Sequence, residues 1–206
     1  MSAVALPDCL LPLGVVRIQK SEVFMPAYLL LVVAILSRLF LPAIHHPEWL
    51  NFTAVGGALL YFGARRSWRE MLLPLTALMA TDYFLTVYSY HYSFRLQDYA
   101  ATWVWYVMAM ALGQILLHAK TTAVRVAAGT LLGPTSFFLV SNYAVWVSGW
   151  GYPKTLAGLG ACFAAAVPFY RNDLLSTAIV AGLAFGLPVL VRKMNTAQAQ
   201  AVPAGK

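Results

Sequence analysis

An apolar stretch that contains a single acid constrains this chain more than any other feature. Residues 73–90 read LPLTALMATDYFLTVYSY, and Asp82 is their one charged side chain. The stretch is long enough to cross a bilayer, which takes about 20 mostly apolar residues. A carboxylate at membrane depth is costly, so it usually faces a partner, a cavity or a substrate path. We therefore predict a transmembrane helix that forms one wall of a binding pocket.

The overall composition is typical of a membrane protein. The 206 residues are 61% hydrophobic and 10% charged, whereas a soluble domain carries about 25% charged residues. The formal net charge of +7 would suggest nucleic acid in a soluble protein, but in a membrane protein the positions of the cations matter more than their sum. We therefore expect the lipid bilayer as the surroundings of this chain and no nucleic-acid partner.

Apolar stretches along the chain predict six transmembrane helices. They cover residues 25–44, 50–64, 70–90, 101–119, 124–149 and 173–191. Between the last two, residues 152–171 are apolar but interrupted by glycine and proline, which predicts a loop plus a short helix that enters the membrane only in part. The alternative makes residues 155–169 a seventh span and places the C-terminus on the other side.

The distribution of Lys and Arg favours six spans, because cytoplasmic loops are enriched in these residues. With six spans and the N-terminus inside, ten cations fall on the inner side and three on the outer side, while Arg38 lies inside the first helix. We predict an all-α integral membrane protein with both termini in the cytoplasm. Its expected parts are a cytoplasmic lead-in over 1–24, a six-helix membrane domain over 25–193 and a flexible tail over 194–206.

Three strongly polar side chains fall at one level of these helices. At 1.5 Å per residue, Arg38 and Asp82 lie roughly 9 and 12 Å below the outer ends of their helices, and Asn142 lies at a similar depth in the fifth helix. In one interpretation they line a pocket that opens to the outside. In the other, Arg38 and Asp82 form a structural ion pair and Asn142 bonds to neighbouring backbone, since buried charges are usually paired. Both interpretations hold if the ion pair of Arg38 and Asp82 forms the floor of the pocket.

Aromatic side chains crowd the same outer half. The candidate binding residues among them are Tyr83, Tyr88, Tyr90, Phe94, Trp146 and Tyr152. Tyr and Trp also form belts at membrane interfaces, but a belt is expected at both faces. The inner face offers mainly Tyr28, Tyr61 and Trp68. This asymmetry favours an aromatic-lined cavity for a large flat or amphipathic ligand over a belt alone.

Little in the sequence indicates enzyme chemistry or a prosthetic cofactor. There is no HExxH motif, no Ser-His-Asp order and no pair of neighbouring carboxylates. His45, His46 and His91 fall in predicted outer loops without a carboxylate or thiol at ligand spacing, so a metal site is the less favoured interpretation. Cys9 and Cys162 belong to no metal or redox motif and are expected as free thiols.

Several segments give the chain a resemblance to a known family. They are NFTAVGGA at 51–58, PLTALMATD at 74–82, SFF at 136–138, SNYAVW at 141–146, YP at 152–153 and AVPFY at 166–170. Together they resemble the substrate-binding S components of energy-coupling-factor (ECF) vitamin transporters, and most closely the BtuM-like branch of solitary S components that take up cobalamin. The resemblance implies a six-helix S-component bundle in the bacterial inner membrane. It also implies an outward-facing vitamin cavity and transport by reorientation of the whole protein.

Two departures from that family bear on mechanism. Ala80 occupies the position at which the resemblance implies a cysteine that ligates cobalt and helps to remove its upper ligand. Since a methyl group cannot ligate cobalt, we expect no catalytic residue in this chain, although a membrane enzyme acting on cobalamin stays an alternative. The first helix also lacks the AxxxA pattern with which many S components dock to the ECF module, because Ala27 and Ala34 lie seven residues apart. A solitary protein is therefore favoured.

These observations lead to the expectation of a carrier for cobalamin or a related corrinoid. The expected pocket is formed by Ala80, Asp82, Tyr83, Tyr88, Tyr90, Phe94, Asn142, Trp146 and Tyr152, with Arg38 beside it. The alternative is a carrier for another small molecule that uses Arg38 and Asp82 as a substrate-binding or proton-coupling pair.

Overall fold

The computed structural model describes residues 20–44, 51–149 and 151–201, and over these residues the chain is helical throughout its regular elements. The helices are α1 (Lys20–Ile44), α2 (Val55–Arg65), α3 (Leu72–Phe84), α4 (Leu96–Leu117), α5 (Ala123–Ser148) and α6 (Leu156–Ala201). A 3-10 turn, Trp68–Met71, leads into α3, and a π-helical turn, Leu85–Ser89, continues it. The expected all-α class is confirmed.

Four segments of the described chain are long and apolar enough to cross a membrane. They are Trp68–Ser89, Leu96–Leu117, Ala123–Ser148 and Leu156–Ala197. The helix α1 carries a shorter apolar run, Met25–Phe40, and α2 has only 11 residues. Together these helices agree with a membrane-embedded protein, and the third, fourth and fifth predicted spans match the observed helices within a few residues.

The shortest helix, α2, lies at the centre of the bundle. Residues 55–64 are all buried, and the helix packs against α1, α4, α5 and α6. A Cβ atom on Gly63 would overlap the backbone carbonyl of Met110 in α4, and one on Gly113 of α4 would overlap that of Leu60. Only glycine allows two helix backbones to approach this closely. The small residues of α2 thus explain why an apolar helix of this length is enclosed on all sides.

The last helix corrects the sequence prediction for residues 152–171. Instead of a loop and a short helix before a separate final span, one continuous helix runs from Leu156 to Ala201 and contains Pro168 and Pro188. The loop is confined to residues 151–155, and no separate seventh span forms among the described residues. The helix packs along α5, where the ring of Tyr170 lies 4.9 Å from that of Phe138. This packing outweighs the local preference of glycine and proline for a loop, and the helix also continues into the predicted tail.

Candidate functional site

Asp82 lies on the buried face of α3 and is 1% exposed. Its Oδ1 atom lies 2.5 Å from Nη2 of Arg38 in α1, and its Oδ2 atom accepts a hydrogen bond from Nε1 of Trp103 in α4 at 2.9 Å. The hydroxyl of Tyr106 donates to the same oxygen at 3.2 Å and accepts a hydrogen bond from Arg38. We name Arg38, Asp82, Trp103 and Tyr106 the paired-acid cluster. The predicted ion pair is confirmed, and it ties α1, α3 and α4 together.

Aromatic rings cover one side of the paired-acid cluster. The ring centroid of Phe94 lies 5.2 Å from that of Tyr83, 5.2 Å from that of Tyr99 and 6.2 Å from that of Trp103. The rings of Phe94 and Tyr99 are close to parallel, at 11°. Two predicted binding residues are thereby brought together, because Phe94 contacts Tyr83 on one side and the Trp103 ring that donates to Asp82 on the other. Tyr83 is 47% exposed, so this aromatic group has an open outer face.

Three other predicted site residues do not approach Asp82. Ala80 precedes Asp82 by two residues, and because an α-helix turns once per 3.6 residues, the two side chains point to nearly opposite sides of α3. Ala80 is exposed. Tyr88 and Tyr90 are 60% and 46% exposed, and Tyr88 packs on Phe84, with ring centroids 5.4 Å apart. The position at which the resemblance implies a cobalt-ligating cysteine therefore lies on the outer face of the bundle.

A cavity of about 210 Å³ lies between α5, α6 and the segment that precedes α2. Its described lining is mainly aromatic and polar: Asn51, Pro134, Phe137, Phe138, Ser141, Asn142, Ala166, Phe169, Tyr170 and Asp173. Of the site residues predicted from the sequence, Asn142 is the one in this lining. The cavity and the paired-acid cluster are thus two separate polar sites, whereas the sequence suggested one level of polar side chains around a single pocket.

Most polar side chains of the cavity already have partners in their own helix or the neighbouring one. Asn142 donates to the carbonyl of Phe138 at 2.7 Å, as the structural interpretation predicted. Ser141 donates to the carbonyl of Phe137 at 2.6 Å. The hydroxyl of Tyr170 is 2.9 Å from that of Thr135 and joins α6 to α5. These bonds hold the walls of the cavity and leave the oxygens of Ser141 and Asn142 as remaining acceptors.

Asp173 differs from the other lining residues, and sequence reasoning did not select it as a site residue. It is 6% exposed, and its Oδ2 atom has no hydrogen-bond partner among the described residues. The Oγ1 atom of Thr177, one turn later, is also buried without such a partner. Both side chains lie against Gly56 of α2, where a Cβ atom would overlap the hydroxyl of Thr177 and come within 3.5 Å of Asp173 Oδ1. An unpartnered carboxylate therefore lies beside the first turn of the central helix.

Trp146 and Tyr152 belong to the connection between α5 and α6. Gly149, with φ at 81°, ends α5 in the left-handed region that glycine favours. Nε1 of Trp146 donates to the carbonyl of Pro153 at 2.9 Å, and the Lys154 ammonium lies 5.4 Å from the centroid of the Trp146 ring. Trp146 stands one turn beyond Asn142, so these contacts hold the end of α5 next to the cavity.

The histidines and cysteines offer no built metal site in the described part of the chain. No group of three or more His, Cys, Asp or Glu side chains is placed to hold an ion among these residues. His45, His46 and Cys9 lie outside the described residues, and His91 is exposed in the loop before α4. Cys162 is buried as a free thiol, with Sγ 3.4 Å from the carbonyl oxygen of Asn142.

A match over most of the chain decides its family. The model of a family of unknown function, DUF6580, matches residues 18–200. The chain belongs to DUF6580. Neither a curated protein nor a solved structure matches the chain. The DUF6580 region includes both buried acids and every described residue of the cavity, so the function of this DUF6580 protein has to be argued from those side chains.

Proposed function

We propose that this protein is a solute carrier of the bacterial inner membrane that binds its substrate in an outward-facing cavity and moves it across. The proposal includes a six-helix, S-component-like bundle with both termini in the cytoplasm, working without an ECF module. The observation that carries it is a cavity within the helical bundle whose buried acid, Asp173, lies beside the first turn of the central helix α2. Carriers place their binding sites at such interior positions, often where irregular backbone meets a helix end.

The distribution of cations in the structure supports the proposed orientation. His118 Nδ1 lies 3.2 Å from the carbonyl oxygen of Ala64, so the ends of α4 and α2 meet. Arg125 at the start of α5 donates to the carbonyl of Leu116 at 3.0 Å. The cations of these three helix ends, Arg65, Arg66, Lys120 and Arg125, therefore share one end of the bundle. The bias of Lys and Arg toward the cytoplasm makes this the inner end.

The cavity lies toward the opposite end, which the proposed orientation makes the outer one. Asn51 precedes α2 and lines the cavity, whereas the arginines of α2 stand at its other terminus. The connection from α5 to α6, which includes Trp146, lies on the cavity side as well. A substrate would therefore enter from outside and rest on the first turn of α2.

Cobalamin or a related corrinoid is the first candidate substrate, because of the resemblance to BtuM-like S components. The aromatic group around Phe94, with its open outer face, offers a flat apolar surface next to Trp103. Stacked aromatic side chains and a small number of polar groups are typical of sites for large planar ligands. In this arrangement the corrin ring would lie across exposed aromatic surface beside the paired-acid cluster, outside the cavity between α5 and α6.

A smaller organic solute is the second candidate, and the volume of the cavity favours it. The cavity of about 210 Å³ lies below the range of roughly 300–1,000 Å³ that is usual for drug-sized ligands. A whole corrinoid would need this space to widen considerably, whereas a compact molecule would need little movement of α5 or α6.

Binding of cyanocobalamin to the purified full-length protein in detergent tests the first candidate. We expect red colour to remain with the protein after size exclusion and calorimetry to give one vitamin per chain. Phe94→Ala should weaken this binding, while Leu187→Ala, at a position that is 51% exposed on α6, should leave it unchanged. Colourless protein, both unmodified and as Ala80→Cys, would exclude corrinoids and leave the smaller solute.

A further inference from the structure

The cavity between α5 and α6 contains a buried acid that no described cation neutralises. Asp173 is more than nine-tenths buried, lines the cavity and has an oxygen without a hydrogen-bond partner among the described residues. A buried carboxylate in an apolar setting is costly unless it is paired. Inside a membrane such a residue usually marks a ligand or ion path. The acid is therefore either held neutral by a proton or stabilised as a carboxylate by a partner that arrives from outside the chain.

The rest of the lining shows which charge that partner carries. None of the described lining residues is a Lys, Arg or His, so Asp173 is not balanced within the cavity. The remaining lining includes Phe137, Phe138, Phe169 and Tyr170, and aromatic rings attract cations through their negative faces. A carboxylate among aromatic rings is the arrangement that recognises organic ammonium groups.

We propose that this cavity binds a small organic cation, a protonated or quaternary amine, with the Asp173 carboxylate as its counter-charge. The inference deepens the proposed carrier function by naming the substrate class. Transport of the cation rests on that proposed function, whereas binding of the cation does not. The carboxylate of Asp173, which lines the cavity, accepts the ammonium group, and the aromatic rings enclose its apolar part.

An inorganic cation fits the same lining less well. Hard cations take about six or more oxygen ligands. The described lining contains a single carboxylate, Asp173, and no group of three or more His, Cys, Asp or Glu side chains is placed to hold an ion among the described residues. Neutral oxygens would have to supply the rest of such a shell. An alkylammonium group needs only one or two acceptors and gains from contact with the rings.

The test compares benzylamine with benzyl alcohol, which differ in charge and hardly in size. Calorimetry on the purified full-length protein in detergent at neutral pH should detect benzylamine binding and much weaker binding of the alcohol. Asp173→Asn should weaken benzylamine binding by about tenfold to a hundredfold, as expected for the loss of one charge-assisted hydrogen bond. The matched control is Asp98→Asn, because the side chain of Asp98 is 45% exposed, and it should leave binding unchanged.

Any of the following results would overturn the inference. Equal binding of the alcohol and the amine would mean that charge is not recognised, and unchanged binding in Asp173→Asn would mean that this carboxylate is not the counter-charge. An equal loss in Asp98→Asn would show a general effect of net charge. If Asp173→Asn does not purify as a monodisperse protein, the test rests on the unmodified protein alone. A ratio of benzylamine affinity to benzyl alcohol affinity near one would then refute the proposal.

Uptake into proteoliposomes separates this inference from the carrier proposal. Benzyltrimethylammonium is suited to this assay because its permanent charge prevents passive entry. Binding of this cation without uptake would refute the carrier function and leave the binding site intact. Binding or uptake of cyanocobalamin by a protein that binds neither amine would refute the cation site and leave the carrier function intact.

Discussion

Asp82 and Asp173, the two buried acids among the described residues, differ in their surroundings far more than in their depth. Asp82 is 1% exposed and is bound by Arg38, Trp103 and Tyr106. Asp173 is 6% exposed, yet one of its carboxylate oxygens has no hydrogen-bond partner among the described residues. The first acid joins three helices, and the second lines a cavity.

This difference separates a structural charge from one that is available to a ligand. A buried ion pair whose hydrogen bonds are complete has little capacity for a substrate, and breaking it leaves an uncompensated charge. For this reason the pairing of Asp82 weakens the alternative in which Arg38 and Asp82 bind the substrate directly. An unpaired carboxylate raises the free energy of the ligand-free protein. A ligand that neutralises the carboxylate removes this cost, so its binding free energy is more favourable by the same amount.

The largest expected effect comes from removing the partner of the paired acid. Arg38→Met should destabilise the protein by about 3 kcal/mol or more, because Asp82 would stay buried without its counter-ion. For a chain of this size that lowers the thermal midpoint by roughly 6–12 °C. Size exclusion of the detergent-solubilised protein after heating measures this midpoint.

The control for Arg38 is an arginine in an exposed pair. Arg95 is 61% exposed, and its Nε atom lies 4.0 Å from Asp98, so Arg95→Met should change the stability by no more than about 0.5 kcal/mol. Equal midpoints for Arg38→Met and Arg95→Met would show that the cluster is not structural. The comparison between the two acids would then lose its basis.

A smaller loss is expected when one donor to Asp82 is removed and the ion pair is kept. Trp103→Phe deletes the Nε1 hydrogen bond, and we expect a destabilisation of about 1–2 kcal/mol. This lies between the typical value for hydrogen bonds between membrane helices and the value for bonds to charged groups. The midpoint after heating should lie between those of Arg38→Met and the unmodified protein.

The matched change for Trp103 is Trp68→Phe. Trp68 is 54% exposed, so the loss of its indole should leave the midpoint close to that of the unmodified protein. A Trp103→Phe protein as stable as Trp68→Phe would mean that Arg38 and Tyr106 satisfy Asp82 without the indole. The paired-acid cluster would then be smaller than described.

The sequence was informative about Asp82 for a physical reason. A carboxylate in the middle of an apolar run can be stabilised in few ways, and pairing with an arginine at the matching depth of another helix is the most direct one. The apolar stretch over residues 50–64 likewise predicted a helix, and α2 (Val55–Arg65) covers most of it. Both predictions rest on local sequence and on the length of a membrane span, and neither needs knowledge of which helices are neighbours.

The sequence could not reveal Asp173, because Arg171 and Asn172 precede it and the three polar residues together are typical of the end of a span. Only the packing of α6 against α5 makes the helix continuous and carries Asp173 into the bundle. Ala80 shows the converse case. It was included because of its place in a motif, but the 3.6-residue period of α3 turns it away from Asp82.

The smallest effect, and the one with the opposite sign, is expected for Asp173→Asn. The asparagine keeps the shape of the side chain and removes the charge, so the buried group becomes easier to desolvate. We expect the empty protein to be unchanged or stabilised by up to about 1 kcal/mol, whereas Asp82→Asn should destabilise it because Arg38 loses its counter-ion. Thermal midpoints of both variants, measured in the same detergent without ligand, provide the comparison. A clear loss of stability in Asp173→Asn would mean that this carboxylate has a structural partner, and the contrast between the two acids would fail at the residue on which the cation site depends.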